Sequence, residues 1–140
     1  MSIKISEYCI EDLYDGLSRR FEFVVTDQMM KNFSNISGDF NPLHINNEYA
    51  KLKGFDGVVV YGGLLISQIS QIIGMHLPGD NSLWNGLSVN FIKPLMVGQK
   101  AIIEAIVVHV SKATSSFKLN IKILHNNVII LKGSAEVVIL

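Results

Sequence analysis

Residues 58–77 read VVVYGGLLISQISQIIGMHL, and none of them is Asp, Glu, Lys or Arg. After the two glycines, large apolar residues recur at the spacing of one helical face, at Leu65, Ile69, Ile72 and Ile73. A helix of about 15 residues at this place would be roughly 22 Å long. Because a helix without charge on any face is typical of a protein interior, we predict that it is buried at the centre of the fold.

The sequence after this helix changes to the period-two alternation that is typical of β-strands. A turn sequence, PGDN, comes first. Four strand-like stretches follow, at 87–92, 100–110, 116–124 and 128–140, and the last two are joined by HNN, a hairpin turn. Because these connections are short, we expect antiparallel strands. The predicted fold class is α+β, with a curved antiparallel sheet wrapped around one central buried helix.

Length and composition limit the classes of protein that need to be considered. The chain has 140 residues, enough for one good core, and we assign 1–140 to a single domain. Apolar residues make up 49% and charged residues only 17%, which favours a folded protein that hides surface in a subunit interface. A homodimer is the simplest cover for so apolar a sheet.

The same composition gives expectations about partners and location. Lys+Arg and Asp+Glu both number 12, and the basic stripe of a nucleic-acid binder is missing from the sequence. The longest nearly apolar run, at 57–67, is shorter than the ~20 residues that cross a bilayer. Acidic residues occur at 1–16, where a signal peptide is basic and then apolar. With Cys9 as its one cysteine, the chain is expected in the cytoplasm, without membrane or nucleic-acid partners.

The segment SGDFNPLH, residues 37–44, places an aspartate and a histidine five positions apart in a sequence unsuited to regular structure. A short amphipathic helix is predicted before it, at 27–36, and Asn46 is a good N-cap for another after it. Gly38 and Pro42 prevent a simple continuation of the first helix. We therefore predict a loop between two short helices, built to present side chains.

Asp39 and His44 are the carboxylate and the imidazole of this loop. An imidazole with a pKa near ~6.5 and a carboxylate near ~4 can hold and move one proton between them at neutral pH. If both contact the same water, they can activate it for addition to a double bond, or deliver it in the reverse direction. The spacing alone leaves another reading open, in which Asp39 caps a turn and His44 packs under the loop.

Gly62 and Gly63 begin the uncharged helix and suggest a second chemical feature. Free backbone N–H groups at a helix N-terminus favour a developing negative charge, and glycine lets a substrate carbonyl approach the backbone. The alternative is that the glycines merely allow close packing where a strand meets the helix. Lys93 is expected in solvent, although it is also placed to meet a phosphate. Spacing typical of metal ligands is absent around His76, His109 and His125.

Three stretches together resemble the MaoC-like, (R)-specific enoyl-CoA hydratase family. They are FSNISGDFNPLHINNEYAKLKGF at 33–55, VVVYGGLL at 58–65 and LSVNFIKPLMVGQ at 87–99. Their order and spacing are compatible with the family from about Phe33 to Gly98, and the S-G-D-x-N-P-x-H core is specific. The resemblance implies a hot-dog fold and a lyase that hydrates trans-2-enoyl thioesters or dehydrates (R)-3-hydroxyacyl thioesters.

The resemblance also implies roles for individual residues. The family's catalytic aspartate falls on Asp39 and its catalytic histidine on His44, which together hold the water that adds to C3. Asn41 resembles the residue that holds the loop, and the backbone N–H that serves as oxyanion donor falls on Gly62, next to Gly63. Members of this family are dimers or larger, with pockets at the subunit interface. They use no metal or other cofactor; coenzyme A or a carrier protein enters as part of the thioester substrate.

One residue departs from the family pattern, and two more concern the acyl pocket. Many members have histidine directly before the glycine where this chain has Tyr61, which shapes the pocket wall and so bears on substrate choice. The acyl group is expected along the uncharged helix, with Ser70 and Ile73 as candidate lining residues. Because ISQIIGM at 69–75 is bulky, we expect a short or medium acyl chain.

Three other functions fit the same fold. A hot-dog acyl thioesterase would direct an activated water at the thioester carbonyl, although the GD-x-N-P-x-H loop argues against it. A dehydratase acting on an acyl-carrier-protein substrate would carry a basic patch beside the pocket mouth. A non-enzymatic acyl-thioester-binding dimer is the third. Neither the physiological acyl group nor the choice between a homodimer and a dimer of dimers follows from the sequence.

Overall fold

The computed structural model describes residues 2–140 and contains a five-stranded antiparallel sheet. The strands are β1 (Ser18–Val24), β2 (Ser82–Phe91), β3 (Lys100–Ser111), β4 (Ser116–His125) and β5 (Val128–Ile139). Their spatial order is β1-β3-β4-β5-β2, so that β1 and β2 are the two edges. The antiparallel pairing of the strands was predicted correctly. Strand β2 pairs with β5 rather than with β3, the next strand along the chain.

Six helical elements accompany the sheet within residues 2–140. They are α1 (Asp27–Ser37), α2 (Pro42–Ile45), α3 (Asn47–Leu52), α4 (Gly62–Gln71) with a π-helical turn (Ile72–His76) directly after it, and a 3₁₀ turn (Ile10–Asp12). Among residues 2–140, no helix has the length and apolar character needed to span a bilayer.

One face of the sheet forms the core against α4. Every second residue is buried from Ala101 to Val107 in β3 and from Phe117 to Ile123 in β4, as the period-two alternation predicted. Leu65 and Ile69 of α4 belong to the same cluster. The β4–β5 hairpin turns at Asn126 and Asn127, whose φ angles of 48° and 63° are those of a type I′ turn.

The central helix is covered on one side only in the single chain. Its buried side contains Leu64, Leu65 and Ile69. Its other side is uncharged but exposed and is formed by Gly63, Ser67, Ser70 and Gln71. The prediction that the whole helix is buried is therefore wrong for the isolated chain. A helix face without charge is typical both of a core and of a surface that pairs with another protein, and the sequence does not distinguish the two.

The first half of the chain contributes a strand as well as helices. Strand β1 pairs with β3 from Ser18, opposite Ile106, to Val24, opposite Lys100. Phe21 and Phe23 pack against the core from this edge. Phe21 and Phe23 alternate with exposed residues and face the core, and this alternation is that of a strand at the open edge of the sheet.

Candidate active site

Asp39 lies in the tight connection between α1 and α2. Helix α1 ends at Gly38, whose φ of 74° is the left-handed conformation that glycine adopts without steric cost. The Asp39 carboxylate then accepts a hydrogen bond from the Asn41 N–H, with Oδ1 and N 3.0 Å apart. The Asn41 side chain accepts one from the Leu43 N–H at the same distance. These two side-chain-to-backbone bonds fix the chain from the exposed Asp39 to the first residues of α2.

His44 lies on α2, a one-turn helix, and not in a loop as predicted from 37–44. Pro42 begins this helix, because a proline at the first helical position loses no hydrogen bond. The His44 Nδ1 atom is 2.6 Å from the Val59 carbonyl oxygen. Since a carbonyl can only accept, Nδ1 carries the proton, and Nε2 is then the acceptor nitrogen of the neutral ring.

Tyr61 connects Asp39 with His44. Its side chain is only 1% exposed, and its hydroxyl donates a 2.6 Å hydrogen bond to the Asp39 carbonyl oxygen. Its ring stacks on the His44 ring with centroids 4.1 Å apart. Burial raises the pKa of Tyr61, and the negative charge of Asp39 raises it further. The phenol therefore stays protonated as a donor, and one buried side chain contacts both Asp39 and His44.

A cavity of about 390 Å³ opens beside His44. We call it the His44 cavity; its lining residues are His44, Phe55, Val59, Val60, Gly62, Leu65, Phe91, Ile92, Lys93, Pro94 and Leu95. Apart from His44 and Lys93 these residues are apolar or glycine. The His44 imidazole and the first residue of α4 thus face one space, and its apolar walls suit an acyl chain.

Both glycines at the start of α4 lie directly under aromatic rings. A Cβ atom added to Gly62 would be 2.9 Å from the Phe91 ring, and one added to Gly63 would be 2.5 Å from the Phe33 ring. The close-packing interpretation of these glycines is thus supported by the geometry. It does not exclude the other interpretation, because the first N–H groups of a helix have no intrahelical acceptor and Gly62 lines the His44 cavity.

The predicted site residues are not all in one place. Asp39 and Asn41 lie within the α1–α2 connection and are not among the residues that line the His44 cavity. Ser70 is on the exposed face of α4 and Ile73 is buried in the core, and neither of them lines the His44 cavity. The cavity instead takes its α4 contribution from Gly62 and Leu65, at the start of the helix.

Sequence reasoning missed Phe91 and Phe55 as cavity walls. Phe91 is the last residue of β2, in the NFIKPL stretch, and its ring covers Gly62 from the edge of the sheet. That contact joins two residues 29 positions apart, as their numbers give. Local patterns carry no information on such pairs, and only the resemblance at 87–99 singled out this stretch.

Comparisons with known proteins agree on the family. The family model described as "MaoC like domain" matches residues 15–128. The (R)-specific enoyl-CoA hydratase of Aeromonas caviae is 39% identical over 72 residues, which are 51% of this chain and 54% of that enzyme. A mitochondrial 3-hydroxyacyl-[acyl-carrier-protein] dehydratase of Arabidopsis thaliana is 28% identical over 120 residues, 83% of this chain and 71% of that protein. The matched segment thus spans about half the length of the first relative.

Solved structures show the same architecture. The (R)-hydratase of A. caviae superimposes with a TM-score of 0.89 at 28% identity, over 93% of this chain and 99% of that one. An R-hydratase of Pseudomonas aeruginosa gives a TM-score of 0.90 at 21% identity, over 96% and 87%. The predicted hot-dog fold is therefore confirmed. The match to the family model over most of the chain shows that this protein belongs to the MaoC-like dehydratase family.

Proposed function

We propose that the protein adds water to trans-2-enoyl thioesters with (R) specificity, or removes it from (R)-3-hydroxyacyl thioesters. The observation that carries the proposal is the placement of His44 and Gly62 on one apolar cavity, with Tyr61 joining His44 to the Asp39 turn. The names of the relatives, enoyl-CoA hydratase and 3-hydroxyacyl dehydratase, support this reaction class.

In the proposed reaction Asp39 and His44 share one proton and hold one water molecule. Asp39 takes a proton from the water as the water oxygen bonds to C3 of the enoyl group. The electrons of the C2–C3 double bond move towards the thioester carbonyl. His44, protonated at Nε2, gives a proton to C2, which completes the addition. The proton on Asp39 then returns to His44 through solvent. The two roles can also be exchanged, because the Nδ1–H···O contact leaves Nε2 of a neutral His44 as an acceptor.

The thioester carbonyl carries the negative charge that develops during this step. We place its oxygen at the N-terminus of α4, where the Gly62 N–H is the donor and the helix dipole favours an anion. Glycine at this position keeps the backbone accessible from the His44 cavity. In this arrangement Phe91, against Gly62, forms the wall that closes the carbonyl site on its outer side.

We expect the wild-type protein to hydrate crotonyl-CoA, and to turn it over faster than long-chain enoyl-CoA. The apolar wall at Leu65 and Leu95, both buried, closes the inner end of a cavity of about 390 Å³. Loss of absorbance at the enoyl-thioester band, measured for C4 to C12 substrates, tests this expectation. Faster turnover of the C12 substrate would contradict the short-chain preference, and no turnover of any of them would contradict the reaction class.

The same assay separates hydration from thioesterase activity. A thioesterase releases free thiol, which a thiol reagent detects, while a hydratase lowers the enoyl absorbance with the thioester bond intact. The 39–44 segment supports hydration because it carries both a carboxylate and an imidazole, whereas a thioesterase of this fold needs a single carboxylate against the thioester carbonyl. Thiol release without a loss of the double bond would favour the thioesterase alternative.

We also infer that the protein is a homodimer that pairs through the edge strand β2 and the exposed face of α4. Leu87 and Phe91 are opposite the buried Ala135 and Leu131 in the sheet, so they point to the core side. Yet they are 39% and 52% exposed. Because they lie at the sheet edge, a second copy can cover them, together with the uncharged surface of α4.

A charge at this edge is expected to separate the subunits. The wild-type chain of 15.5 kDa should elute with twice that mass in light scattering after gel filtration, whereas Leu87→Lys should shift towards the monomer, since a lysine placed in an apolar interface is costly. Lys132→Gln, on the outer face of the sheet, is the matched control and should remain a dimer. A wild-type monomer at micromolar concentration would overturn the inference.

A further inference from the structure

The His44 cavity changes character from its inner end to its rim. Of its lining residues, Leu65 and Leu95 are buried at 3% and 1% exposure, while Lys93 is exposed. Lys93 is the one Lys or Arg among the described lining residues, and none of them is Asp or Glu. A ligand that fits this gradient has an apolar end and, farther out, an anionic group.

The backbone around Lys93 is well fixed. Its N–H donates to the Ile130 carbonyl oxygen at 3.2 Å, and two residues later the Leu95 carbonyl accepts from the Val60 N–H at 2.8 Å. These bonds tie Lys93 to β5 on one side and to the segment before α4 on the other. The one ion pair within residues 2–140 joins Lys100 and Glu22, so Lys93 is not paired with a carboxylate there. The Lys93 backbone is thus fixed, and no carboxylate among the described residues neutralises its ammonium group.

We propose that Lys93 is a substrate-binding residue whose ammonium group contacts the phosphate of the 4′-phosphopantetheine arm. This inference rests on the proposed function, because it takes the acyl thioester to lie between His44 and Gly62. The arm that leaves the cavity past Lys93 ends in a phosphate, both in coenzyme A and in an acyl carrier protein. A lysine contacts phosphate as a point charge on a flexible stem, which suits an open cavity rim.

The charge of Lys93 is tested with three crotonyl thioesters that differ only in the handle: pantetheine, 4′-phosphopantetheine and coenzyme A. Lys93→Gln is expected to raise the KM for the two phosphorylated substrates by about 5-fold, the scale of an exposed ion pair, with kcat unchanged. The KM for crotonyl-pantetheine should not move. Lys93→Arg keeps the charge and should retain the wild-type KM, and Lys132→Gln, on the outer face of the sheet, serves as the lysine control.

Salt provides a second readout that a structural role would not give. Raising NaCl from 50 to 500 mM should increase the wild-type KM for the phosphorylated substrates, and should do so less in Lys93→Gln, since salt screens an exposed charge pair. An equal rise in KM for all three substrates in Lys93→Gln would overturn the proposal, because it would mean that Lys93 acts by packing. A rise in KM confined to crotonyl-CoA would overturn it too, because it would assign the contact to the nucleotide phosphates.

A binding measurement separates failure of this inference from failure of the proposed function. Calorimetric titration with 4′-phosphopantetheine and with pantetheine requires no turnover. If the phosphorylated arm binds better to the wild type but not to Lys93→Gln, the phosphate contact holds even for a protein that hydrates nothing. If hydration proceeds and the two arms bind equally to both proteins, only the role of Lys93 is lost. Equal effects of Lys93→Gln and Lys132→Gln would also overturn it, as a general effect of surface charge.

Discussion

Asp39→Asn and His44→Asn are each expected to lower kcat for crotonyl-CoA hydration by about 10²- to 10⁴-fold, the usual contribution of general acid–base catalysis. Each change removes proton transfer but preserves the local contacts. The Asn at 39 keeps an oxygen that can accept from the Asn41 N–H. The Asn at 44 keeps an amide N–H at the place of Nδ1, within reach of the Val59 carbonyl. Initial rates by enoyl absorbance, with melting temperatures alongside, measure the effect.

The double variant tests whether the two residues act on one water. Groups that work as a unit are strongly non-additive, so Asp39→Asn with His44→Asn should be hardly slower than either single variant. Asp80→Asn, which changes an exposed carboxylate outside the site, is the control and should keep wild-type rates. Retention of more than a tenth of the wild-type kcat in either single variant, with a normal melting temperature, would refute the assigned acid–base pair.

Most of the architecture follows from periodicity. The alternation at 116–124 and the switch from helical to period-two spacing after PGDN place β4 and the end of the helix close to where the structure has them. Asn126 and Asn127 predict the hairpin because both can adopt positive φ. These features are local, and a local pattern is enough to determine them.

The features that were not predicted from the sequence depend mainly on contacts between distant residues. The hydrogen bond from Tyr61 to the Asp39 carbonyl joins residues 22 positions apart, and the pattern around either of them does not predict it. The exposed face of α4 was predicted as buried because lack of charge does not distinguish a core from an interface. His44 was assigned to a loop because Pro42 was interpreted as a helix breaker, whereas at the first helical position it begins a helix.

Tyr61 was interpreted as a pocket wall that bears on substrate choice, but it does not line the His44 cavity and is instead buried against Asp39 and His44. It is in contact with three neighbours that the sequence does not group together. The Phe33 ring lies 4.8 Å from the Tyr61 ring by centroids, the His44 ring lies 4.1 Å away, and the hydroxyl reaches Asp39. The side chain thus fills the space between α1, α2 and the start of α4, and its removal affects both folding and the geometry of the site.

Tyr61→Ala is expected to lower the free energy of unfolding by about 3–5 kcal/mol, the usual cost of truncating a buried aromatic residue. Tyr61→Phe, the matched variant, should cost about 1–2 kcal/mol, because it keeps the ring and removes only the donor to the Asp39 carbonyl.

The stability that the Tyr61 hydroxyl contributes should depend on pH. Since the folded-state pKa of Tyr61 is raised, the stability contributed by its neutral form is present below the unfolded pKa of ~10 and is lost as pH rises through the folded pKa. The difference in free energy of unfolding between the wild type and Tyr61→Phe should therefore shrink in alkaline solution. Urea unfolding at pH 7 and pH 10.5 measures both effects, with hydration assayed at pH 7. Equal stability of wild type and Tyr61→Phe at pH 7, with unchanged kcat, would show that the hydroxyl does not hold the Asp39 turn.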